Sequence, residues 1–183
     1  MRREGWIALL VAVAVVAGTA RGEGSYSAMS DDAAQAIASA EMVVEQARRA
    51  MGEGKACLDR LAPDSERVGE IKSMIVATSK EWDEAVLALD GAKRGATRVS
   101  SAATEELANA YSVLAKANAA IARSGANVVK ANMAFVEKVA AGATENSLDI
   151  AGMSVRDALA ASKRARENYE RVKRILFEEY KVK

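Results

Sequence analysis

Between Leu107 and Phe135 the chain reads "LANAYSVLAKANAAIARSGANVVKANMAF". Leu107, Ala110, Leu114, Ala117, Ile121, Ser124, Val128, Ala131 and Phe135 follow one another in alternating steps of three and four. Steps of that size return to one face of an α-helix; a half-buried strand repeats every second residue. A stripe sustained over so many turns must be covered by another helix. Yet every second position in it is alanine or serine, too small to bury much apolar area. Small seam residues let helix axes approach more closely than leucine allows, so contact is recovered along the length of the helix. Alanine also has the highest helix propensity, which helps keep long helices intact.

The same periodicity recurs on either side. One seam runs Ala33, Ile37, Ala40, Val44, Ala47, Met51, Gly54, Leu58, Leu61, and a second runs Val68, Ile71, Ile75, Thr78, Trp82, Ala85, Leu89. A last one follows Leu148, Ala151, Val155, Ala158, Ser162, Ala165, Tyr169, Val172, Leu176. Pro63 biases Ala62 away from helix and suits the first turn of the next. The glycines of "GAKRGATRVSS" read as a turn, and "GATENS" breaks the third helix. These signals predict helices near 30–61, 64–91, 100–141 and 147–181. Ser30 is the expected N-cap of the first, and Ser100 or Ser101 of the third. Asp31–Asp32 and Glu105–Glu106 fall in first turns, where acidic residues favour the helix dipole. The Gly52 and Gly54 pair is a place where the first helix could end early. The expected fold is all-α: an elongated antiparallel three- or four-helix bundle with alanine-rich coiled-coil seams, in which Trp82, Leu114, Ile121 and Leu176 are buried.

The N-terminus carries a different pattern. "MRREGW" is a short basic start, Ile7 to Gly18 is an apolar run, and Ala20 and Gly22 supply small residues at a cleavage site. That is the form of a secretory signal peptide over 1–22, cut after Ala20 or Gly22. The run is shorter than the about twenty residues of a membrane span. A polar lead-in, 23–30, and one helical domain, 31–183, complete the expected organisation.

Composition narrows the function. The formal charge of +1 is a poor match to a protein that coats nucleic acid. Histidine is absent, which removes the commonest general base and a favoured metal ligand. A single cysteine, Cys57, makes neither an internal disulfide nor a Cys-rich zinc site, although it could join two chains in an oxidising compartment. "GEGK" at Gly52–Lys55 lacks the strand that precedes a phosphate loop. No nucleophile–base pair is found, so no catalytic, cofactor-binding or metal-binding residue is assigned, and the chain is expected not to be an enzyme. The basic stretch "SKRARENYERVKRILFEEYK" is interrupted by Glu167, Glu170, Glu178 and Glu179 and reads as a salt-bridged helix face.

The third helix is apolar on several sides. Four of its charges, Lys116, Arg123, Lys130 and Glu137, recur every seventh residue as one narrow stripe, which suits the central helix of a bundle. Val129, Met133 and Val136 lie away from the main seam. They are either core or, if left wet, an interface for self-association or a helical partner.

A secretory signal followed by alanine-rich helical seams, with turns such as "AGATENS", resembles the surface proteins of African trypanosomes, above all their alanine-rich coat proteins and three-helix receptor bundles. The resemblance implies an elongated bundle that projects from the membrane, shields it or captures ligands at its far end. Membrane attachment would come only through an anchor not visible in this chain. The expected function is therefore an exported, non-enzymatic bundle, secreted or at the cell surface, acting as a coat or receptor or otherwise in protein interaction. The alternative is a bacterial periplasmic or envelope spacer or chaperone-like binder.

Overall fold

A computed structural model of the chain describes residues 23–59 and 66–181. The expected signal peptide and the Pro63 break lie outside the described residues. Four helices account for almost all of the rest: α1 (Glu23–Asp59), α2 (Glu66–Val99), α3 (Glu105–Ala140) and α4 (Glu145–Tyr180), with no strand among the described residues. A helix of 37 residues spans roughly 55 Å. The fold is an all-α bundle.

The central element is α3, which packs against each of the other three helices. α1 and α2 also pack together, whereas α4 packs on α3 alone. Side-chain pairs fix the directions. α1 and α3 run parallel: the Ser112 hydroxyl donates to the Met29 carbonyl at 2.9 Å, Lys116 to Asp32 at 3.4 Å and Lys130 to the Gln46 amide oxygen at 2.6 Å. α2 runs antiparallel to α3, with Gly95, Gly91 and Ala85 against Ala115, Asn118 and Gly125, and so also to α1, which it meets through Lys93–Glu41 (2.6 Å). α4 runs antiparallel to α3, with Ser147 at Lys138 (2.8 Å) and Leu176 beside Ala110 and Leu114. The molecule is thus one helical hairpin laid beside another. The α1 seam residues Ala33, Ile37, Val44 and Ala47 have Ala117, Ile121, Val128 and Ala131 as counterparts in α3, at the separation of 84 that the Lys116–Asp32 and Lys130–Gln46 pairs also show.

The core follows from the small seams. Ala40, Ala47, Ala88, Ala92, Ala119, Ala122 and Ala126 are buried in one cluster, with Ile37, Val44, Ile71, Leu89, Val129, Met133 and Val136 as its larger members. Each buried methyl-sized group contributes only about 0.8 kcal/mol, so stability rests on many close contacts. Leu176 is buried as expected, but Trp82, Leu114 and Ile121 are half-buried.

Several boundaries differ from the sequence expectation. The lead-in 23–30 is helical and α1 starts at Glu23; Ser30 is interior, and tertiary contact through Met29 and Ser112 replaces capping as the reason for order. Asp31 and Asp32 are therefore not first-turn residues, and Asp32 faces Lys116 instead. α2 passes through Gly91 and Gly95 to Val99, because both glycines lie against α3 and their missing side chains let the helices close. A Cβ added at Gly95 would stand 3.1 Å from the Ala115 Cβ. α1 likewise continues past Gly52 and Gly54, the latter seated against the Met133 side chain. The N-cap of α3 is Thr104, whose hydroxyl accepts the Leu107 N–H at 3.2 Å. Ser100 and Ser101 instead donate back to carbonyls at the end of α2. Glu105 and Glu106 do occupy a first turn. At the α3–α4 turn, Gly142 (φ 66°) and Ala143 donate to the carbonyls of Val139 and Lys138, closing α3 with a left-handed glycine.

Candidate functional site

Val129, Met133 and Val136, the residues expected either in the core or at an interface, are core. Their relative exposures are 0%, 1% and 0%, within the cluster that α1 and α2 complete. The fold covers this side of α3 inside one chain. Cys57 is a free, half-buried thiol near the end of α1. Among the described residues no group of acidic, histidine or cysteine side chains is placed to hold a metal ion. Glu45 is exposed and its carboxyl is held down at about 2 by hydrogen bonds from Arg48 and then Arg49. A depressed carboxylate of this kind helps the folded state above the ordinary carboxylate range and loses that help as pH falls toward 2. At an exposed position its weight is small.

The more informative geometry belongs to α4. Its inward face carries the expected seam, with Ala151, Ser162 and Leu176 buried against α3. Ile150, Met153, Leu159, Ile175 and Phe177 remain exposed. α2 and α4 do not bring their backbones together; Arg166 spans the space between them, reaching Glu81 at 2.5 Å and Glu84 at 2.8 Å. Beside it the Ser162 hydroxyl and the Arg166 Nε are buried without a hydrogen-bond partner. Within the stretch read as a salt-bridged face, Lys163 pairs with Glu167 at 4.0 Å, but Arg166 leaves its own helix. Nothing in the sequence marks this arginine from its neighbours.

Replacing Arg166 with alanine leaves the half-buried Glu81 carboxylate facing Glu84 without a cation. The expected loss is about 1–2 kcal/mol, discounted for an arginine that is 38% exposed. Hydrogen exchange is the measurement: α4 amides should exchange faster while α1–α3 protection barely moves. A uniform loss across all four helices would show that Arg166 does not specifically hold α4.

Beyond Arg166, α3 and the C-terminal half of α4 enclose an open cleft of about 590 Å³. Leu114, Tyr169, Leu176 and Phe177 supply its apolar surface, and Glu170, Lys173 and Arg174 its charged lip. Lys173 lies over the Tyr169 ring, 5.8 Å from its centroid. Nearby, Arg98 at the end of α2 lies over Tyr111 at 5.7 Å, and Tyr111 packs in the same small cluster as Leu114 and Leu176. The surface offers aromatic area with cations beside it. The chain matches no family model, no curated protein and no solved structure.

Proposed function

We propose that this chain is an exported, non-enzymatic helical-bundle protein that works by protein interaction, as a coat or receptor at or outside the cell surface. The basic start, the Ile7–Gly18 apolar run and the small residues Ala20 and Gly22 support export. No described helix is long and apolar enough to cross a membrane. The observation that carries the interaction reading is α4 itself. One face rests on α3, and the rest of its surface leaves Ile150, Met153 and Phe177 more than half exposed. Ile150 and Met153 lie one turn apart at the start of α4 and Phe177 near its end, so the helix offers two separate apolar contact points to a partner.

Fusion of residues 1–30 to a reporter tests export. The reporter is expected in the medium or at the surface, with a new N-terminus near Arg21 or Glu23. Recovery in the cytosol with Met1 intact removes the export reading.

A further inference from the structure

The cleft at the C-terminal half of α4 has more character than an exposed patch. It exists because α4 is docked on α3 alone and the outer helices α2 and α4 stay apart except where Arg166 joins them. Past that bridge Leu114 of α3 is left half-buried, and Phe177 on α4 stands 52% exposed over the opening. A large aromatic left this wet in a protein with few aromatics is an anchor in search of a hydrophobic partner. The volume of about 590 Å³ lies within the range of built binding sites and admits more than one apolar side chain.

The charges then choose among partners. Lys173 and Arg174 stand on the lip against a single carboxylate, Glu170. Two cations against one carboxylate around an apolar floor favour a ligand that is apolar on one side and negative at its edges. No strand among the described residues offers an edge for a peptide to extend, and the apolar floor between two long helices matches the mode in which a helix lays its apolar face into a groove.

We infer that the α3–α4 cleft lined by Leu114, Tyr169, Leu176 and Phe177 is a docking groove for an acidic amphipathic helix of a partner protein. This rests on the protein-interaction reading above and gives it a place and a chemistry. Phe177 enters the apolar ridge of the partner helix, and Lys173 and Arg174 meet carboxylates on its flank.

The test uses two labelled peptides of about five helical turns, sharing one leucine face and differing in glutamate or lysine on the flanks. Fluorescence anisotropy follows each against the purified chain. The glutamate peptide should bind saturably, and its lysine twin at least about tenfold more weakly. Phe177→Ala should weaken the glutamate peptide about tenfold, and the Lys173→Glu, Arg174→Glu pair should remove the preference for it. These three side chains lie at the open lip, so circular dichroism and melting of the variants should match the parent. Equal binding of both peptides, no binding of either, or affinity unmoved by the variants overturns the groove. A secreted chain that binds neither peptide sinks the groove alone. A cytosolic chain that binds the glutamate peptide keeps the groove and sinks export.

Discussion

A chain carrying Val129→Glu together with Val136→Glu is expected not to fold. Both valines are fully buried, and with Met133 they share a cluster with Ile37 and Val44 of α1 and Ile71 and Leu89 of α2. Either carboxylate would have to displace a neighbour, enter the core protonated, or remain charged without a partner. Each route costs several kcal/mol. Two such costs rival the about 5–15 kcal/mol that hold a typical domain together. The comparison variant is Val76→Glu with Leu87→Glu, since these side chains are 72% and 67% exposed on α2. Surface changes of this kind stay within about 0.5 kcal/mol. Circular dichroism and urea unfolding should show a collapsed helical signal for the first pair and a near-parental transition for the second. A Val129→Glu, Val136→Glu chain that folds and merely loses self-association would place those residues on the outside of the molecule.

That contrast shows where the sequence was legible. The seams of α1, α2 and α4 name the inward faces, because polar and charged residues make up most of the rest of those helices, with exceptions such as Val76, Leu87, Met153 and Phe177 left exposed. On α3 the pattern stops discriminating. Within the expected stripe Ala110, Ala117 and Val128 are buried but Leu107, Leu114 and Ile121 only half-buried, while Ala108, Ala115, Ala122, Val129 and Val136, off the stripe, are buried as well. A helix covered on three sides has apolar residues nearly all round, so periodicity loses its contrast. Which neighbour covers which side depends on contacts far apart in sequence, such as Ser112 with Met29. The cleft was harder still to see. Tyr169 and Phe177 were visible as aromatics among charges, but their grouping with Leu114 requires knowing that α4 lies antiparallel on α3. Arg166 carries no local sign that it will leave its helix for Glu81.

Glycine misled for a separate physical reason. In a sequence, Gly91 and Gly95 stand for flexibility and a lost side chain, which predicts a turn and costs about 1 kcal/mol each within a helix. In the bundle the lost side chain is the useful property. Gly125 of α3 lies where an added Cβ would meet the Ala85 Cβ at 3.2 Å and the Glu81 carbonyl oxygen at 3.4 Å. At Gly95 the neighbours are the Cβ and Cα of Ala115, at 3.1 and 3.2 Å. Backbone atoms of a packed helix cannot yield as the end of a flexible side chain does. Closer approach there brings many alanine contacts within range, and these offset the propensity cost.

The same residue type should therefore respond with opposite signs at different places. Gly125→Leu forces α2 and α3 apart at mid-length, and overpacking of this sort costs about 3 kcal/mol. For a chain of this size that lowers the melting temperature by roughly 10 °C. Gly95→Leu should behave alike. Gly52 lies in α1 with nothing within 4 Å of a built Cβ, so Gly52→Ala gains helix propensity without a clash. The expected gain is about 0.5–1 kcal/mol. Thermal and urea unfolding of the three single variants decide the matter. If Gly125→Leu melts with the parent, the helices do not meet there. If Gly52→Ala destabilises as much as Gly125→Leu, close approach is not what distinguishes the two sites. The expected result, one variant up and two down, would tie the alanine and glycine seams to the spacing of the bundle.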